Sequence, residues 1–126
     1  MKIQSDTFES RQKRILDSIE LRVPDRVPAT CSFYFFPAYY YGYTAQQMMY
    51  DLDICVDSHI KATLEFQPDL AQNPVGILSF GPILDILGYR QMQWPGGQLD
   101  ANTPFQFVEG EYMSANEYDH FFDEIR

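Results

Sequence analysis

The run RVPATCSFYFFPAYYYG, residues 26–42, constrains this chain more than any other stretch. Residues 27–36 carry no charge and show no alternation of apolar with polar side chains, which is the pattern of a strand buried on both faces. Pro28 and Pro37 bracket the run, and proline is tolerated at the start of a strand or just past its end because it has no amide to give the ladder. The run therefore predicts a central parallel strand. Tyr39, Tyr40, Tyr41 and Tyr43 follow it around Gly42. Ligands of α/β folds bind beyond the carboxyl ends of parallel strands, so these tyrosines are expected to face a site.

The rest of the chain fits around such a strand. Asp6 and Glu9 are spaced as a capping box, and a helix is predicted from there to about residue 21. Its periodicity puts Phe8, Ile15, Leu16 and Ile19 on the core side and Arg11, Lys13, Arg14 and Asp17 mostly on the other. Thr44 and Gln47 form a second box. They open a helix, or two joined near Asp53, over residues 45–66, with Met48, Met49, Leu52, Val56, Ile60, Leu64 and Phe66 expected to pack on the sheet. A short strand is predicted at residues 75–78. Helix, strand, helix, strand is the opening of a parallel α/β fold, since a parallel pair needs a crossover.

Residues 81–88 read as one or two helical turns closed by Gly88. Residues 89–94 and 105–108 are short alternating stretches on either side of a Pro-Gly-Gly loop, and they predict a hairpin. Ser114 and Glu117 make a third box, starting a helix whose apolar side holds Tyr118, Phe121, Phe122 and Ile125.

Charge excludes some partners. The net charge is −9, and residues 31–126 hold three Lys or Arg against thirteen Asp or Glu. Nucleic acids and anionic membrane surfaces both reward cationic stripes, so neither is expected as a partner. The first twenty residues lack a secretory pattern, and the two cysteines have no disulfide-framework spacing, which together predict a cytoplasmic protein. An aromatic content of 16% needs a well-covered core or a partner that covers it.

Side chains that carry chemistry are few. The substrate-binding candidates are Phe35, Tyr39 and Tyr40 at the end of the central run, and Glu109, Glu111 and Tyr112 between the hairpin and the last helix. A solvated turn beside a helix N-terminus is the plainer explanation of the two glutamates. Cys55 and His59 are four apart on a predicted helix, but neither Cys31 nor His120 is spaced to complete a zinc site, so no metal site is expected within the chain. No catalytic residue is identified.

Three stretches together resemble the uroporphyrinogen decarboxylase superfamily: RILDSIE (14–20) followed by PDRVP (24–28), ILDILG (83–88) with WPGG (94–97), and FQFVEGEYM (105–113) leading into Glu117 and Asp119. The resemblance implies a (β/α)8 TIM barrel. It is closest to the methyltransferase and O-demethylase branch, which implies corrinoid-linked methyl transfer with zinc. The arginine-rich stretch that decarboxylases carry after the first strand is replaced here by FFPAYYYG (35–42), with no arginine to hold acidic side chains. Cofactor-free decarboxylation of a tetrapyrrole (porphyrin) is therefore the alternative, and a non-catalytic module binding a small ligand is another.

Such a barrel typically needs about 250 residues. Residues 1–126 are thus expected to be its N-terminal portion, incomplete in this chain and without a whole active site. The expected partner is a second chain carrying the later strands, or another copy of this one. Zinc and a corrinoid protein would come with the remainder.

Overall fold

A computed structural model describes residues 6–74 and 78–124. Helix α1, Phe8–Ile19, starts at Thr7, whose hydroxyl accepts from the Ser10 amide at 3.2 Å. The cap falls one residue later than expected because the Asp6 carboxylate is held by Arg14 and Arg26. Two short strands, β1 (Thr30–Cys31) and β2 (Leu70–Ala71), pair in parallel, with Thr30 opposite Leu70. The crossover between them runs through three helices: α2 (Phe36–Tyr40), α3 (Ala45–Tyr50) and α4 (Leu52–Phe66). Then come α5 (Gly81–Leu87), an antiparallel pair of β3 (Met92–Gln93) with β4 (Gln106–Phe107), and α6 (Ala115–Glu124). The architecture is α/β with a few short strands.

The long two-sided strand expected over residues 27–36 does not form. Only Thr30 and Cys31 pair, Val27 stands 84% exposed, and at Tyr34 the backbone takes φ +46° and turns into α2. Pro37 sits in the first turn of that helix, where the missing amide costs nothing, so the residue read as a strand's end opens a helix. Of the run's aromatics Phe35 is the buried one, packed edge-on against Phe105 with ring centres 5.7 Å apart, while Tyr34 and Phe36 stay exposed. Most of the predicted strand at 75–78 lies outside the described residues. The second parallel strand is β2, and the Leu78 amide instead reaches back to the Pro74 carbonyl at 2.9 Å.

Other expectations are met. Thr44 and Gln47 make both bonds of a capping box, Gly88 closes α5 at φ +57°, and the hairpin pairs Met92 with Phe107. Asp51 separates α3 from α4 by accepting from the Ile54 amide at 3.1 Å. At α6 the Glu117 carboxylate takes the Ser114 amide at 2.7 Å. The core holds Met48 and Met49 of α3, Ala38 of α2, Cys55 of α4, Leu84 of α5 and Trp94 of the hairpin.

Two helices pack with the face opposite to the one expected. In α1 the buried side chains are Arg14 and Asp17, while Phe8 and Ile19 are 74% and 71% exposed. In α4 the inward row is Cys55, Ser58, His59 and Ala62, at the i, i+3, i+4, i+7 spacing of one helical face. Leu52, Ile60, Leu64 and Phe66 point outward. The small inward residues let α4 lie close on α2 and α3, and carboxylates at the foot of the sheet draw the charged side of α1 inward.

Candidate functional site

The two ends of the parallel pair differ in chemistry. At the amino-terminal end, the buried Arg14 guanidinium bonds Asp25 at 2.7 and 2.8 Å, Asp6 at 3.0 Å and the enclosed Asp69. Arg26 bonds Asp69 and Asp6 as well, and the Ala29 amide donates to Asp69 at 2.7 Å. The Arg14 guanidinium holds the Asp25 carboxyl down to about 2. Burial works against the charge on Asp69, but the Ala29 amide and the two arginines outweigh it and lower its pKa. Arg11 Nε lies 3.5 Å from Asp6, so three cations face the three carboxylates, and this end of a parallel sheet reads as the stabilising one. It accounts for the Asp-Arg pair of the PDRVP motif: Asp25 ties the linker to Arg14 of α1, and Arg26 ties it to Asp69 at the foot of the sheet.

The carboxyl-terminal end holds the candidate site. Strand periodicity puts Thr30 and Ser32, and Leu70 and Gln72, on the same face of the pair. A concavity of about 430 Å³ lies there, lined by residues 30–32 and 70–72. The Ser32 hydroxyl donates to the Gln72 amide oxygen at 2.5 Å, which leaves the two Gln72 N–H groups to donate elsewhere. Just behind, a cavity of about 10 Å³ is lined by Phe33, Tyr34, His59, Asn73 and Leu78 among others. It is too small for a substrate. His59 is buried, its Nδ1–H donates to the Cys55 carbonyl at 2.8 Å, and it also bonds the Tyr34 backbone. Burial lowers its pKa, so the ring sits neutral and pins the strained turn at Tyr34.

The six predicted binding residues are not gathered there. Phe35 is a core residue, 5% exposed. Tyr39 is half-exposed and donates to the Asn102 carbonyl at 2.7 Å. Tyr40 donates to Glu65 at 2.7 Å and lies in a surface cluster of rings with Phe36 and Phe66, centres 5.2 and 5.6 Å away. Tyr41 donates to the same carboxylate at 2.9 Å, and burial together with Glu65 pushes its phenol up to about 12. Glu109, Glu111 and Tyr112 are exposed, and the Tyr112 hydroxyl donates to the Val108 carbonyl.

Ser32 and Gln72 are the residues that sequence reasoning passed over, and His59 was weighed only as a metal ligand. Ser32 lay inside a run read as wholly buried, and Gln72 follows a strand placed too late. Pro68 and Asp69 were the usable signal, a helix stop followed directly by the start of a strand.

The donors do not fit a zinc ion. Among the described residues no three His, Cys, Asp or Glu side chains are arranged to hold a metal. Burial pushes the Cys55 thiol up to about 11, the reverse of what a metal thiolate needs, and His59 Nδ1 is committed to a carbonyl. Among the described residues no helix is long and apolar enough to cross a membrane. No family model matches the chain, and no curated protein or solved structure matches it either.

Proposed function

We propose that this chain supplies the first two β/α units of a (β/α)8 barrel of the uroporphyrinogen decarboxylase type, in the branch concerned with corrinoid-linked methyl transfer, and forms no complete active site alone. The observation that carries this reading is a parallel two-stranded sheet flanked by α1 and α4, whose apolar rows face outward. A self-contained domain turns such rows inward; a portion of a larger barrel leaves them for neighbouring units to cover. The polar pair Ser32 and Gln72 supports the reading by its position, since barrel enzymes carry their chemistry at the carboxyl ends of the strands. In this reading Ser32 and Gln72 contribute hydrogen-bonding groups to a shared mouth, and the catalytic groups come from later strands. Any zinc would be bound by those later strands, because the residues here do not fit it.

A pull-down from the source cell with the tagged chain tests the proposal. A co-purifying polypeptide that carries later barrel strands and a zinc site supports it. A chain that stays monomeric, unfolds in one cooperative transition and retains no such polypeptide overturns it.

A further inference from the structure

We propose that the groove between α4 and the unpaired edge of β2 is a docking slot for one extended strand of a partner chain, paired to β2 by its backbone and seated on α4 by aliphatic side chains. The inference rests on the barrel reading and names the segment this surface receives. Among the described residues β2 has a strand on one side only. The Leu70 and Gln72 amides donate to the Ala29 and Cys31 carbonyls at 3.3 and 3.0 Å, so the alternation of the ladder turns the Ala71 amide to the opposite edge. Beside it a groove of about 360 Å³ runs between residues 71–74 and the α4 side chains Val56, Ile60, Thr63 and Leu64.

The dimensions suit a strand. Successive side chains on one face of a strand are about 6.6 Å apart, and Ile60 and Leu64 are four residues apart along the helix, about 6 Å, so two aliphatic side chains of the incoming strand can straddle that row. A helix laid in the groove would cover Ile60 and Leu64 but leave the Ala71 amide without a partner. A second copy is disfavoured because it would bring a chain of the same net charge, −9, to this edge. The net charge of −9 makes a strand with basic flanks the better fit.

The test uses the full isotope-labelled chain and a short synthetic peptide of alternating valine and threonine with a lysine at each end. Saturable resonance shifts at Ile60, Leu64 and Ala71, with severalfold slower hydrogen exchange at the Ala71 amide, support the slot. Ile60→Glu, at a position already half-exposed, should abolish the shifts without unfolding the chain. So should a peptide N-methylated on the edge that would meet β2. Absent shifts, equal binding of the methylated peptide, or Ala71 protection that grows with chain concentration and no peptide would each overturn the inference, the last by making a second copy the occupant. A chain that refuses the peptide yet co-purifies with a later-barrel polypeptide loses the slot and keeps the barrel reading.

Discussion

Arg26 grips Asp69 through two parallel hydrogen bonds, Nη1 to Oδ2 at 2.7 Å and Nη2 to Oδ1 at 2.9 Å, across 43 residues of chain. The Asp69 side chain is fully enclosed and also takes the Ala29 amide and Arg14, so one carboxylate joins α1, the linker and both strands. Removing it leaves guanidinium groups facing each other without their shared counter-charge. Asp69→Asn is expected to lower stability by about 3 kcal/mol, seen as a lower urea midpoint at unchanged slope. Asp25→Asn, at a side chain 67% exposed, should cost clearly less. Equal costs would mean that the enclosed position of Asp69 does not matter.

Acid should destabilise the chain over two separate pH ranges. His59 is held neutral by burial, below its ordinary value of 6.5, so below that pH the unfolded chain binds the extra proton. Stability from this group is complete above 6.5 and falls with pH through the folded value. Asp6, Asp17, Asp25 and Asp69 sit below the ordinary 3.8, so their contribution is intact above that value and is lost on further acidification, towards about 2 for Asp25. Melting temperature measured against pH should show both limbs. In His59→Gln only the upper one should vanish.

Gly81 has no room for a side chain, since an added Cβ would lie 2.7 Å from the Tyr50 ring. That ring carries the hydroxyl that accepts from Trp94 Nε1 at 3.0 Å and donates to Asp85 at 2.8 Å. Gly81→Ala is expected to cost about 1–3 kcal/mol by overpacking and to change Trp94 emission. Gly88→Ala meets nothing within 4 Å but sits at φ +57°, so it should cost about 1 kcal/mol from backbone strain alone and leave the emission unchanged.

The outward row of α1 predicts behaviour opposite to that of a core helix. Ile19 is 71% exposed, so Ile19→Lys should change stability by no more than about 0.5 kcal/mol. It should also reduce self-association of the isolated chain in sedimentation velocity, because Phe8, Ile19, Leu21 and Val23 leave apolar surface in water. A large loss of stability would place Ile19 in a core after all.

Local chemistry was legible where it is self-contained. Thr44 with Gln47, Gly88, and the hairpin around its Pro-Gly-Gly loop need only neighbours a few residues away, and each forms as read. Reading failed where the deciding partner is distant. Arg14 looked like part of a solvent face until Asp69, 55 residues on, was brought to it, and Pro37 fitted a strand's end as well as a helix's first turn. The six candidate residues were chosen by nearness to an expected strand end, and moving the strand scattered them.

The sequence alone determined the capping box of α3, the glycine stop of α5, the hairpin and the acidic balance, because these follow from backbone sterics, short-range hydrogen bonds and composition. Only the tertiary structure decided which face of each helix is buried and that Ser32 meets Gln72. An amphipathic pattern states that one side differs from the other, while the partner available in space selects the side that turns inward. In α1 a buried carboxylate from 55 residues away made that selection in favour of the charged side.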